Sequence, residues 1–217
     1  MKKILDNRSA DIRLQLLGSF QVEDREKKVL KLRSNSERAL LAYLATESDR
    51  SHSREFLGDL IWPNLDKEKL ANNLRVALSR LRKVLESEQF PSPLIITNGQ
   101  MVKLNHDKLW VDVAEFSSLA DQSRRHSHLN DRDCDDCIQR YKRASEVFKG
   151  EFLQGLSLVD SLPFLEWVVV QQEKLHHRAI NIFWKLADYY LRRGELDQGQ
   201  TYVPVSYTHL TLPTNRE

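Results

Sequence analysis

The stretch from Lys69 to Leu85, KLANNLRVALSRLRKVL, carries two chemistries on opposite sides of one helix. At about 100° per residue, Leu70, Leu74, Ala77, Leu78, Leu81, Val84 and Leu85 share an apolar arc. Asn72, Arg75, Val76, Ser79, Arg82 and Lys83 fall on the other side. The stretch has five basic residues (Lys69, Arg75, Arg80, Arg82, Lys83) and no acid. Asn and Arg side chains pair with adenine and guanine edges through two hydrogen bonds each, and Lys suits phosphate. The candidate contacts are therefore Asn72, Asn73, Arg75, Ser79, Arg82 and Lys83, with Arg75 and Arg82 two turns apart and facing one groove. Arg80 sits at the edge of the stripe, as a phosphate contact or an intramolecular partner. Taken alone, such a face is more often merely solvated. The neighbouring elements shift that balance.

Upstream, Ile12, Leu14 and Leu16 alternate with polar residues, Gly18 interrupts, and Phe20 and Val22 resume the alternation. A polar turn follows, and Val29 to Leu32 reads as another short strand, giving a small antiparallel sheet. Ser34 and Glu37 form a capping box for a helix carrying Leu40, Leu41, Tyr43 and Leu44. Ser53 caps the next helix, through Phe56, Leu57, Leu60 and Ile61, until Trp62-Pro63 stops it. The basic helix is third, spanning Asp66 to Glu86. Beyond Pro91 and Pro93, Leu94–Thr97 and Gln100–Leu104 flank Asn98-Gly99, a strong hairpin signal. Three helices, a flanking sheet and a hairpin after the basic helix make a winged helix-turn-helix. The hairpin is then a wing beside the helix that reads bases. Asn98 and Gln100 flank its tip, for a minor-groove or phosphate contact or for the turn alone. Arg38 and Arg54, near helix starts, suit backbone phosphates or surface ion pairs.

Several motifs occur in order here. RALLAYL (Arg38–Leu44), SREFL (Ser53–Leu57), LIWP (Leu60–Pro63) and NLRVALSRLR (Asn73–Arg82) resemble the N-terminal domain of SARP-type bacterial transcriptional activators. That domain is similar to the OmpR-type winged helix of response regulators. WVDVAEF (Trp110–Phe116), KGEFL (Lys149–Leu153) and FLEW (Phe164–Trp167) resemble the bacterial transcriptional activation domain, an all-helical module related to tetratricopeptide repeats. The resemblance covers roughly Ile12 to Gly199. It implies double-stranded DNA as a partner, repeated promoter half-sites, recruitment of RNA polymerase and a possible homodimer on those sites.

The residues of the second half agree with a helical module. Asp112 with Glu115 reads as a helix cap, Ile138 to Phe148 is amphipathic, and Leu165 to Leu191 keeps helical spacing until Gly194. The expected fold is mainly α with a small β component. It divides into a winged helix over 1–111 (core about 12–107) and a TPR-like, all-helical domain over 112–204. Val205 to Thr214, VSYTHLTLPT, matches one reading frame of a sequencing-library adaptor, so 205–217 is read as adaptor-derived, and the helix that should follow Gly194 as truncated.

Charge supports this division. Residues 1–111 hold 20 Lys and Arg against 15 Asp and Glu, and residues 112–217 hold 13 against 16. No apolar run is long enough to span a bilayer, and MKKILDNRSAD lacks the apolar segment of a signal peptide. With two cysteines and no disulfide framework, the expected location is the cytoplasm. His126, His128, Cys134 and Cys137 offer zinc-type ligands, but in a polar connector, so surface thiols and no metal are expected. There is no phosphate-binding Gly-rich loop, HExxH or nucleophile elbow, and adjacent His176 and His177 cannot share one helix face. The chain reads as a non-enzyme without a cofactor. The alternative is a helical-repeat interaction scaffold whose winged helix binds protein rather than DNA.

Overall fold

The computed structural model describes residues 10–86, 93–105, 108–125 and 134–202. The alternation at the front becomes β1 (Ile12–Gln15), with Ile12 and Leu14 buried. It pairs antiparallel with β2 (Gln21–Asp24). The strand expected at Val29–Leu32 is only an isolated bridge from Val29 to Glu23. Asp24 explains the early exit: its Oδ1 accepts from Glu26 N and Lys28 N and closes the turn. The chain then drops Leu32 into the core ahead of the first helix. The third place in the sheet belongs to β6 (Leu109–Val111), parallel to β1 on its other edge. A parallel pair needs a crossover, and here the whole winged helix is that crossover.

Helix α1 (Asn35–Thr46) starts at Ser34, whose Oγ accepts from Glu37 N. The Glu37 carboxylate closes the box one residue upstream, on Arg33 N rather than Ser34 N. Strand β3 (His52–Ser53) leads into α2 (Arg54–Ile61), capped by Ser53 as expected. Helix α3 (Lys67–Leu85) follows, capped by Asp66, whose carboxyl is held below its ordinary value, chiefly by the Lys69 N–H. Gly58 sets the approach of α2 to α3: a Cβ there would lie 1.9 Å from Leu70 Cδ2. The wing is β4 (Ile95–Asn98) and β5 (Met101–Leu104), with β3 added on the far edge of β5. Its two-residue loop is Gly99-Gln100, one position later than the Asn98-Gly99 turn expected. Asn98 pairs with Met101, and Gly99, at φ 56°, takes the first central position that favours glycine.

β6 runs directly into α4 (Asp112–Arg125). Asp112 is buried, and its carboxylate accepts from Leu16 N at 2.8 Å, Leu17 N at 2.7 Å and Val113 N at 2.7 Å. At the start of α4, Asp112 takes the Val113 N–H of the first turn. Asp112 satisfies the backbone beyond β1, while Glu115 pairs with Arg143 of α5 (Asp135–Val147) at 3.0 Å. Helix α6 (Leu162–Arg192) is 31 residues long, starts at Ser161 and ends before Gly194, at φ 75°. A short helix, α7 (Leu196–Gln200), does follow Gly194 and packs back on α6, with Gly199 against Leu191. The adaptor-like tail lies outside the described residues.

One core joins the two halves, from Ile12 through Leu186. The Trp167 ring lies 4.9 Å from Tyr43 of α1 and 5.5 Å from both Phe152 and Phe164, centroid to centroid. Its Nε1 donates to Glu47 at 3.1 Å. Ser161 Oγ donates to Leu60 O at 2.6 Å, tying the start of α6 to α2.

Burial pushes the Asp112 carboxyl from 3.8 up to about 7, against the pull of the Leu17, Leu16 and Val113 N–H groups. Between those two values the folded protein holds a proton that the unfolded chain has released. Stability from this group is thus full below about 4 and declines as pH rises through 7. Urea midpoints should fall from pH 5 to pH 8 in the wild type more steeply than in Asp112→Asn; parallel profiles would contradict the assignment. At pH 5, Asp112→Ala should cost about 2–5 kcal/mol, since buried N–H groups lose their acceptor.

Candidate nucleic-acid interface

The apolar arc of α3 is buried as its spacing requires: Leu70, Leu74, Ala77, Leu78, Leu81 and Leu85 all pack inward, and Val84 is half-buried. This fixes the outward face. Asn72, Arg75, Ser79 and Lys83 are exposed on it in one line, over about 16 Å at 1.5 Å per residue. Arg75 Nη2 donates to Asn72 Oδ1 at 2.8 Å, so the two are aligned side by side as a donor and amide pair. Asn73 is half-buried beside the line.

Two arginines of the helix are committed elsewhere. Arg80 Nη1 sits 3.4 Å from Glu37 Oε1, a carboxylate that is only 2% exposed, so it serves as an intramolecular partner. Arg82 Nη2 donates to Ile95 O at 3.4 Å and Thr97 Oγ1 at 3.3 Å. Arg82 therefore braces the wing against the helix rather than standing beside Arg75 in the outward line. Its periodicity places it near that face, but β4 lies within its reach and captures it. Thr97, which sequence reasoning passes over, is the side chain that receives it.

The wing tip returns to the start of α2. Arg54 N donates to Gln100 O at 2.8 Å, so the Gly99-Gln100 loop is pinned by backbone. Between this loop, α2 and α3 lies a cleft of about 570 Å³, lined by Arg54, Lys67, Arg75, Gln100, Glu55 and Asp59 among others. Lys67, also not evident as a site residue from sequence, is paired with Glu55 at 3.1 Å. Its signal is its place in the first turn of α3, facing α2. Asn98 is exposed at the end of β4. Arg38 is set apart at the start of α1, where Nη1 donates to Asn35 Oδ1 at 2.7 Å and Nη2 to Leu32 O at 3.4 Å. The structure thus brings Asn72, Arg75, Ser79, Lys83, Arg54 and Gln100 to one surface and diverts Arg80, Arg82 and Arg38 into local bonds.

Residues 27–101 match the family described as "Transcriptional regulatory protein, C terminal". The match begins just before α1 and ends in the wing, so it contains the outward line of α3 and both elements that brace it. The family is one of DNA-binding transcription regulators, not of enzymes. No curated protein matches the chain in sequence. In fold, the chain is similar to Mycobacterium tuberculosis EmbR, solved in complex with a low-affinity phosphopeptide, with a TM-score of 0.63 and 15% identity. The likeness covers 92% of this chain and 55% of the EmbR chain, so this chain spans little more than half of EmbR's length. It shows that the two chains share one fold, a winged helix followed by a helical region, as the resemblance to SARP-type regulators implies.

Among the described residues no helix is long and apolar enough to cross a membrane, and no group of three or more His, Cys, Asp or Glu is placed to hold a metal. His126 and His128 lie outside the described residues. Cys137 is not the surface thiol expected: it is fully buried in the core, with its Sγ 3.8 Å from Ser123 O of α4.

The two arginine roles separate on substitution. Arg82→Ala should lower stability by about 0.5–2 kcal/mol through the lost bonds to β4. Arg75→Ala should stay within about 0.5 kcal/mol of wild type in the same denaturation assay. A larger stability loss for Arg75→Ala than for Arg82→Ala would contradict this division.

Proposed function

We propose that this chain is a sequence-specific transcriptional activator whose α3 enters the major groove of double-stranded DNA. The observation that carries the reading is the exposed line Asn72–Arg75–Ser79–Lys83, made of base-reading and phosphate-binding side chains and free of acids. Arg75, prepositioned by Asn72, reads a guanine or its neighbour. Lys83, one turn from the C-terminus of α3, grips phosphate. Gln100, Asn98 and Arg54 approach the flanking backbone from the wing and the start of α2, an arrangement in which the wing follows the adjacent groove. A scaffold that bound protein through this face would more often carry apolar anchors along it.

The division at 111/112 belongs to this proposal: a DNA-reading half over 1–111 and a helical half over 112–204. The helical half is left to contact RNA polymerase, and repeated half-sites would align two copies as a homodimer. The net charges of the two halves support this assignment, since the first is basic and the second acidic.

Selection from random duplex DNA should recover a motif, repeated if two copies bind together. On the recovered site Arg75→Ala should cost about 1–3 kcal/mol and relax preference at one base. Lys83→Ala should weaken all sequences alike and reduce the salt slope by about 1. Equal losses for Arg75→Ala on the selected site and on random DNA would remove the base-reading role. Absence of any enriched motif would favour the scaffold.

A further inference from the structure

Cys134 and Cys137 are the only cysteines in the chain. They stand at the start of α5, as its N-cap residue and, one turn on, at the third helical position. Side chains at those two positions meet across the first turn of a helix. Cys134 is half-buried, and its side chain makes no capping bond to the helix. Cys137 is fully buried, its Sγ 3.8 Å from Ser123 O on α4. The Cys134-x-x-Cys137 spacing sets the two thiols side by side on that turn. One sulfur that solvent reaches, in contact with one that it does not, is the arrangement of an attacking and a resolving thiol.

We propose that Cys134 and Cys137 form a reversible dithiol–disulfide pair, closed by exchange with a small disulfide of the glutathione class. The Cys134 thiolate attacks a sulfur of that co-reactant, forming a mixed disulfide and releasing one small thiolate. The Cys137 sulfur then attacks Sγ of Cys134, and its proton passes to the departing small thiolate, which leaves as the second small thiol. Two protein thiols are oxidised and one small disulfide is reduced to two thiols, so atoms and electrons balance.

Asp135 and Asp136 lie between the two cysteines in the first turn of α5. Burial, and next the neighbouring Cys134 thiol, push the Cys137 thiol up, against a smaller opposing pull from Arg140 and Lys185. Closure draws Cys137 Sγ away from Ser123 O, altering the seam between α4 and α5.

The test uses the full chain in buffers of graded reduced-to-oxidised glutathione, quenched with an alkylating reagent and weighed. The wild type, unfolded during the quench, should pass between a doubly alkylated form and an unalkylated closed monomer two hydrogens lighter than the unmodified reduced chain, with a two-electron slope. Cys137→Ser should stop at a glutathione adduct on Cys134, and Cys134→Ser should resist modification because its remaining thiol is buried. Both variants keep the fold testable by circular dichroism. The proposal is overturned if the wild type stops at the adduct, links two chains, or closes only in denaturant. Modification of Cys134→Ser as fast as Cys137→Ser overturns it equally.

Discussion

The carboxylate of Asp112 is the point on which this molecule turns. Two consecutive backbone N–H groups, Leu16 and Leu17, leave β1 inside the protein and need an acceptor there. Asp112 supplies it from nearly a hundred residues away, at the residue where β6 becomes α4. The same contact closes the front sheet, ends the crossover that contains the winged helix, and starts the helical half. An unmet pair of buried donors would cost more than most single side-chain contacts return. The two halves are accordingly not beads on a flexible string. Trp167 and Ser161 add to the seam by reaching into α1 and α2 from the far side.

This rigid seam bears on how α3 is presented. Its buried arc is held by α1 and α2, with Gly58 permitting the close crossing. Glu37 and Arg80 fix its flank, and Arg82 joins it to the wing. The outward line from Asn72 to Lys83 is therefore preorganised before any partner arrives. Binding then need not pay again for ordering helix and wing relative to each other. Asn72, Arg75, Ser79 and Lys83 are exposed on that line, whereas Arg80 and Arg82 are drawn to Glu37 and Thr97.

Much of this was legible in the sequence because it is local. Ser34, Ser53 and Asp66 cap helices over three or four residues, and the apolar arc of α3 repeats with the helix itself. The hairpin was legible too, although its loop sits one residue later than Asn98-Gly99 suggests, since strand register and not the dipeptide alone fixes the turn. What depends on distant partners was not legible. β6 is three residues long and is a strand only because β1 lies beside it. The roles of Asp112, Arg82 and Cys137 are each set by a group on another element: Leu16 and Leu17, Thr97, and Ser123. Periodicity puts Arg82 near the reading face, and tertiary structure takes it away.

The most direct test of the central claim, that the exposed line of α3 reads bases in the major groove, is methylation interference on a selected site. N7 methylation of guanine blocks an acceptor that faces only the major groove. Binding by the wild type should be lost when particular guanines are methylated, and one of those positions should lose its effect in Arg75→Ala. Binding indifferent to N7 methylation at every guanine, or an interference pattern unchanged in Arg75→Ala, would contradict the account.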